Sequence, residues 1–394
     1  MDLRAQHDEL RAEIEVAIRD ILDRSAFIGG PYVERFEAEF ASYVGARHAV
    51  GVSNGTDAVR IALEVVGVER GDAIVTVSHT FIGTVEGAVQ LGVLPLFVDI
   101  DRRSRTMSPD ALARFLDGDC ARDAHGVVRH RATGRRIAAI VPVHLYGQSA
   151  DMAPILELGA RLGIPVVEDA AQAQGATYRF PDGRVAKCGA MGEAGAFSFY
   201  PGKNLGAIGE AGAVVTNDDA RARQAVILRD HGQSEKYVHL IAHGGNYRLD
   251  ALQAAVLGIK LRRLDAWNVA RRAAASRYAE RLAEAPLELP SEMPYAGHVW
   301  HLYVVQHAER DRLRAELAER GIGVGLHYPI PLHRQPAFAA MDRNWSLPET
   351  DRAAETCLSL PMHPHLSADQ VDRVGEALLE ALASAVGGEP APRR

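Results

Sequence analysis

Glu193-Ala-Gly-Ala-Phe-Ser-Phe-Tyr-Pro-Gly-Lys-Asn-Leu-Gly-Ala-Ile-Gly-Glu-Ala-Gly-Ala-Val-Val-Thr216 is the stretch whose reading decides the fold. A strand-like run, Ala194 to Phe199, stops at Pro201-Gly202 and is followed at once by Lys203. Gly206, Gly209 and Gly212 then turn the chain into a second apolar run, Ala213 to Thr216. Glycine permits turns and close backbone approaches that other residues resist. One amine is thereby presented at a sharp turn between two buried strands. Lysine occurs only at Lys187, Lys203, Lys236 and Lys260, against forty arginines. In a chain so rich in arginine, a lysine at this turn points to chemistry that guanidinium cannot do. A primary amine deprotonates and attacks carbonyls. The chemistry indicated is a Schiff base, with pyridoxal phosphate as the natural aldehyde. Read alone, the stretch is also compatible with a surface lysine in a glycine loop.

The rest of the chain supplies a setting. At 394 residues it is long enough for a large core and two domains. A net charge of −7 argues against a general nucleic-acid surface. No apolar run reaches membrane-spanning length, and the charged N-terminus does not resemble a secretory signal. The three scattered cysteines, Cys120, Cys188 and Cys357, fit a reduced, cytoplasmic protein. Helical spacing predicts two amphipathic helices, Asp8 to Leu22 and Tyr32 to Tyr43, the first as an arm packing on something else. Strands are expected at 48–52, 73–77, 94–98, 137–143 and 165–167, alternating with helices. This implies an α/β fold built on a mostly parallel sheet covered on both faces. Asp119 to Arg136 reads as an irregular surface excursion, Tyr178 to Lys187 as a hairpin and Glu235 to Tyr247 as a loop. A long helical stretch is expected from Asp250 to about Leu282. The organisation expected is an arm over 1–30, a large domain over 31–285, a small C-terminal α/β domain over 286–386 and a disordered tail over 387–394.

Ligands of parallel sheets collect at the carboxyl ends of strands. Three such ends are suggestive here. Ser53-Asn54-Gly55-Thr56 joins a strand to a helix start, where backbone amides and the helix dipole attract an anion such as phosphate. It is equally an ordinary helix cap. Val166-Val167-Glu168-Asp169 ends a buried strand in two acids. A carboxylate there can keep a pyridine nitrogen protonated, and Gln172 can reach a ring oxygen. Capping acids would look the same. Ser78-His79-Thr80-Phe81 offers an aromatic to stack on a flat ring, although an isolated phenylalanine is usually core. Ser198, five positions before Lys203, can reach a phosphate.

Taken together, these motifs resemble the DegT/DnrJ/EryC1/StrS aminotransferases. They are Gly55-Thr56, Phe81, Glu168-Asp169-Ala-Ala-Gln172, Ser198-Phe-Tyr-Pro-Gly-Lys203-Asn-Leu-Gly and Gly245-Asn246-Tyr-Arg-Leu-Asp-Ala-Leu-Gln253. The likeness runs from about Ile28 to about Ala383. It implies fold type I, pyridoxal 5′-phosphate as cofactor, and a homodimer with shared sites. It implies Lys203 as the Schiff-base lysine, Asp169 on the pyridine nitrogen, Gln172 on the ring hydroxyl and Phe81 stacked on the ring. Gly55, Thr56 and Ser198 hold the phosphate, which Asn246 reaches from the other subunit. Val143-His-Leu-Tyr-Gly-Gln148, Lys236-Tyr237 and His327-Tyr328-Pro-Ile-Pro-Leu-His333 resemble the members that aminate C3 of dTDP-linked 3-keto-6-deoxyhexoses. His327 and Tyr328 are therefore candidate substrate contacts. The implied reaction takes an amino group from L-glutamate, releases 2-oxoglutarate and aminates the keto-sugar, with Lys203 moving the proton.

Other readings compete. Amination at C4, or of an aminocyclitol, is compatible with the same resemblance. A sugar dehydratase of this kind would carry histidine in place of Lys203. A cofactor-bound regulator without turnover would not need the full set Lys203, Asp169 and Gln172. Asp99-Ile100-Asp101 has the form of a glycosyltransferase metal motif, and His327/His333 and His363/His365 are histidine pairs. No carboxylate or cysteine cluster accompanies those pairs, so no metal is expected. A P-loop and a dinucleotide fingerprint are absent.

Overall fold

The computed structural model describes residues 2–341 and 345–384. The expected tail, 387–394, lies outside them. Seven strands form the central sheet: β1 (His48–Val52), β2 (Ala73–Val77), β3 (Leu94–Val98), β4 (Ile137–Ile140), β5 (Val167–Asp169), β6 (Ala194–Ser198) and β7 (Gly212–Thr216). Their spatial order is β3-β2-β4-β5-β6-β7-β1. The bridges Ile140↔Val166 and Val143↔Asp169 join β4 to β5. Every neighbouring pair is parallel except the two made by β7. Because β7 alone runs backwards, six strands end at one edge. The expectation of a mostly parallel sheet is met. The strands read as continuous apolar runs because helices cover both faces. All five residues of β2, of β6 and of β7 are buried.

The helices of the large layer are α1 (Leu3–Arg24), α2 (Pro31–Val44), α3 (Gly55–Val65), α4 (Gly83–Gln90), α5 (Pro109–Gly118), α6 (Met152–Leu162), α7 (Asp219–Arg229) and α8 (Ala251–Leu261). The Ser108 hydroxyl caps α5 by accepting from the Ala111 amide at 3.2 Å, with Pro109 at the first helical position. The periodic face of α1, Leu10, Ile14, Ala17 and Ile21, is buried in the same core as α2 and α8. The arm thus packs on its own chain. Phe36, Phe40, Phe197 and Phe199 meet there edge to face at ring separations of 4.9 to 5.4 Å.

Three local expectations are corrected. The stretch expected as one helix from Asp250 breaks at Arg262-Arg263 into α8 and α9 (Leu264–Arg281). The excursion 119–136 contains a regular hairpin, Cys120–Arg122 paired with Val128–His130. The Asp123 carboxylate closes its turn by accepting from the His125 and Val127 amides. The expected loop after Glu235 begins with a second hairpin, Gln233–Glu235 with Val238–His239.

The C-terminal layer is α10 (Arg310–Glu319), α11 (Pro348–Thr356) and α12 (Ala368–Ser384) around an antiparallel pair, β8 (Tyr303–Gln306) and β9 (Cys357–Leu360). The strand β9 was not anticipated. Its core also takes Ala274, Ala275 and Tyr278 from the second half of α9, and Leu282 just past its end, so that helix spans both layers.

The two acids at the end of β5 have different fates. Glu168 is fully buried and accepts from the Gly189, Met191 and Gly192 amides at 2.6–2.7 Å, and it pairs with His144 Nε2 at 2.8 Å. It holds the 189–192 loop under β6. Removing it strands four partners, of which His144 and the Gly189 amide are buried. Glu168→Ala is therefore expected to lower unfolding free energy by about 3–5 kcal/mol, read from urea denaturation. A loss under about 1 kcal/mol would show that water replaces the carboxylate.

Candidate active site

A cavity of about 1040 Å³ opens at the carboxyl edge of the sheet. Asp169, Lys203, Gly55, Thr56, Phe81, Gln172, Ser198, His327 and Tyr328 all line it. Nine of the ten residues singled out from the sequence are thus brought to one place. The tenth, Asn246, pairs with Asp230 by a backbone bridge and is not part of this wall.

Each side chain owes its place to a strand end or a tight approach. Asp169 closes β5, and its Oδ2 accepts from the Thr84 hydroxyl at 2.6 Å, while Thr84 meets Thr80 at 2.8 Å. Its Oδ1 accepts from the Ala171 amide at 3.1 Å. The carboxylate is buried and held, yet keeps acceptor capacity toward the cavity. Gln172 Oε1 accepts from the Tyr146 amide at 2.7 Å, and its Nε2 donates to the Tyr328 hydroxyl at 3.0 Å. The second Nε2 hydrogen is left for a ring oxygen. The Tyr146 hydroxyl donates to the His327 carbonyl and meets His79 Nε2 at 2.7 Å. Phe81 remains 55% exposed at the cavity, tilted toward Tyr328 at a ring separation of 5.9 Å, so a face of the ring is free to stack.

At the start of α3, Asn54 Oδ1 accepts from the Asp57 amide at 2.9 Å, and Ala58 closes the first backbone bond to the Asn54 carbonyl. Among the described residues this leaves the Gly55 and Thr56 amides for an anion. The helix-cap reading of this motif is met, and the first two amides of the helix remain unpaired at the cavity. Gly55 lies so close to Ser198 that a Cβ on it would fall 2.5 Å from the Ser198 Cβ. The helix terminus and the serine hydroxyl thus form one cradle that any larger residue would fill.

Lys203 is half-buried opposite Asp169. Loss of hydration lowers its ammonium to about 8, with the Asp169 carboxylate opposing. Of the two histidines beside it, His327 was read from the sequence as a candidate substrate contact and His301 was not singled out. His301, buried, is held well below its ordinary value by burial and then by the Lys203 charge. Its Nδ1 meets Asn204 Oδ1 at 3.2 Å. The Asn204 amide donates to Asn268 and to the Val299 carbonyl, which fixes the oxygen as the acceptor for His301. His327 is likewise lowered, by burial and by Lys203, and shares a proton with the Ser359 hydroxyl at 2.8 Å. Both imidazoles are neutral near pH 7. Thr84 and His301 carry no motif of their own, and Tyr146 stands unremarked within the 143–148 segment; only their register against Asp169, Gln172 and Lys203 reveals them.

The competing motifs resolve into structure. Asp99 accepts from the Glu349 and Thr350 amides at 3.0 and 2.9 Å at the start of α11, and Asp101 accepts from Arg103 and Ser104. His333 bonds Ser78 and Asp351, and His365 bonds Glu9. Among the described residues there is no group of three or more metal-ligating side chains.

An amine, a buried carboxylate, a free aromatic face and an anion cradle around one cavity are the parts that a phosphorylated pyridine aldehyde requires. The family description "DegT/DnrJ/EryC1/StrS aminotransferase family" matches residues 8–379. The chain belongs to this family. It is 43% identical over 382 residues to a dTDP-3-amino-3,4,6-trideoxy-alpha-D-glucose transaminase of Streptomyces venezuelae, covering 96% of this chain and 95% of that one. It is 40% identical over 385 residues to a protein of Geobacillus stearothermophilus named a pleiotropic regulatory protein, covering 96% and 97%. The crystal structure of S. venezuelae DesV in complex with a ketimine intermediate superposes with a TM-score of 0.87 at 42% identity, covering 96% of each chain. The protein is a pyridoxal-phosphate-dependent aminotransferase.

Two outcomes follow from the geometry. With Lys203 as the expected Schiff-base amine, capture of pyridoxal phosphate by the apoprotein needs its neutral form. Burial lowers its value, so the capture rate should rise with pH to a midpoint near 8 rather than near 10.5. Stopped-flow absorbance across pH 6–10 reads this directly. Gly55→Val should weaken cofactor binding by about tenfold or more, seen as a rise in the dissociation constant with the fold retained by circular dichroism.

Proposed function

We propose that this aminotransferase moves the amino group of L-glutamate to C3 of a dTDP-linked 3-keto-6-deoxyhexose, as a cytoplasmic homodimer with shared sites. The observation that carries the reading is the convergence of Lys203, Asp169 and the Gly55–Ser198 cradle on one cavity large enough for cofactor and sugar together. The name of the S. venezuelae relative supports the C3 position. So do Val143 and the His327-Tyr328 pair, which stand in the cavity wall and belong to the segments most like the C3 enzymes.

Bound pyridoxal phosphate supplies an electron sink conjugated to the reacting amine carbon. The protein supplies the rest. Gly55, Thr56 and Ser198 hold the phosphate, and Phe81 covers the ring. Asp169, braced by Thr84, keeps the ring nitrogen protonated. Lys203 Nζ, whose hold on its proton burial weakens to about 8, takes the proton from the donor Cα and returns it in the second half of the cycle. Neutral His301 and His327 add no positive charge beside it, which favours the free base. His327 and Tyr328 contact the sugar.

The cavity wall also supports the shared site. One chain contributes the carboxylates of Asp57, Glu86, Asp169 and Glu210 but, among the described residues, no arginine; its one lysine is Lys203. A nucleotide diphosphate and the carboxylates of glutamate require further cations. A second copy can bring them. The hairpin 233–239 carries Lys236 and an 80% exposed Tyr237, and Asn246 lies on the same excursion. The regulatory name of the G. stearothermophilus relative keeps a sensor role as the second reading. Release of 2-oxoglutarate from glutamate separates the two.

The direct test offers a panel of keto-sugar nucleotides to the pyridoxamine form and locates the new amine by NMR. Amination at C3 is expected, and exclusive turnover of 4-keto-sugars would reject the assignment. Lys203→Ala should lose activity by about 10⁴-fold and give no borohydride-trapped adduct on the 193–216 peptide. For site sharing, Lys203→Ala and Asn246→Asp should each be inactive, while co-expressed subunits recover about a quarter of wild-type activity. No recovery would place Asn246 in its own chain's site.

A further inference from the structure

Lys260 is the fully buried lysine that the chemistry above does not use. It sits in the last turn of α8 at 0% exposure and has no carboxylate partner among the described residues. Its ammonium donates to the Gly206 carbonyl at 2.7 Å. Its other contacts come from α1: His7 Nε2 at 3.0 Å and Gln6 Oε1 at 3.4 Å. Gln6 is itself buried. A charged amine this deep is costly unless each donor finds an acceptor. Here one acceptor is in the lysine loop and two are in the N-terminal helix.

The loop end of this contact is short and stiff. A Cβ on Gly206 would lie 2.3 Å from the Pro201 carbonyl oxygen, so the turn closes tightly around Lys203. The Ala207 amide donates to the Phe199 carbonyl at 2.8 Å, and Gln253 of α8 accepts from the Ile208 amide at 3.0 Å. A displacement at Gly206 is therefore passed to Pro201 and Lys203 with little room for relaxation. Lys260 does not line the cavity; its one contact with the lysine loop is at the back of the turn that presents the amine.

We propose that Lys260 is a positioning residue which fixes the lysine loop through the Gly206 carbonyl and makes that fixation depend on docking of the N-terminal helix at Gln6 and His7. The arm is then part of the catalytic device as well as a cover for the α2–α8 core. Burial also lowers the Lys260 ammonium, to about 8, in keeping with its neutral partners.

The proposal rests on Lys203 as the reactive amine, which borohydride trapping in the wild-type holoenzyme checks separately. Two variants are compared as holoenzymes: Lys260→Met, and the double variant Gln6→Leu with His7→Leu, which keeps the lysine and removes its arm contacts. In both, amide exchange over 199–207 should accelerate. The pH midpoint of the visible band of Lys203-bound pyridoxal phosphate should move by about half a unit or more. The glutamate half-reaction should slow about tenfold, with KM changed less than about twofold. Unchanged loop exchange and an unmoved band in Lys260→Met would overturn the proposal, whatever happens to thermal stability. An effect in Lys260→Met that the double variant lacks would equally overturn it, since the arm would then play no part. If Lys260→Met does not fold, the double variant decides alone.

Discussion

The site depends on one constraint, the parallel pairing of β5 with β6. That register sets Ala196 beside Asp169, and Lys203 follows seven residues later, after β6 has ended at the same edge. A carboxylate that holds a ring nitrogen and an amine that reaches the opposite end of that ring must stand a ring's length apart. Adjacent strands are about 4.8 Å apart, so neighbours in a sheet supply a suitable base for that spacing. The return strand β7 must run antiparallel, because the glycine loop brings the chain straight back. Its other neighbour, β1, consequently runs with the parallel set, and β1 ends where α3 begins. The phosphate cradle therefore faces the lysine loop as a consequence of strand direction. The 2.5 Å separation implied between a Gly55 Cβ and Ser198 Cβ measures how tightly that arrangement closes.

Electrostatics within the cavity follow from burial. An amine used as a base must shed its proton near neutral pH, and dehydration provides the shift. Asp169 pulls the other way, so the value settles near 8. A cationic histidine nearby would change that balance, but His301 and His327 are both kept neutral by the same dehydration. The Lys203 charge lowers the tendency of both imidazoles to hold a proton, and His327 adds to the effect on His301. The site thus sets a carboxylate beside an amine whose hold on its proton is weakened and two imidazoles that burial keeps neutral. That division suits proton transfer at carbon.

Much of this was legible in the chain because its signals are local. Strand ends, the glycine turn and the lone lysine lie in continuous segments, so periodicity and turn chemistry locate them. What was not legible depends on contacts distant in sequence. Glu168 and Asp169 are adjacent acids with the same look, and only the 189–192 amides distinguish the structural one from the functional one. Thr84 lies 85 residues from Asp169, and Tyr146 lies 181 residues from His327. The strand β9 is four residues long and follows directly on α11, so no turn marks its start. The hairpin in 120–130 is polar because it stands at the surface, which hides its alternation.

The His327-Tyr328 wall of the cavity and the Gln172 side chain share a support. Gln172 belongs to the large layer, and His327 and Tyr328 belong to the loop that leads from α10 into the small one. Tyr146 connects them: its amide donates to Gln172, its hydroxyl donates to the His327 carbonyl, and Gln172 returns the connection through the Tyr328 hydroxyl. Tyr146 adopts a left-handed backbone, φ 60°, which a non-glycine residue holds only when its surroundings enforce it. A closed circuit of this kind transmits displacement in both directions. A displacement of His327 and Tyr328 is therefore passed to Tyr146 and Gln172, and through them to the carboxyl edge of the sheet, within a single chain.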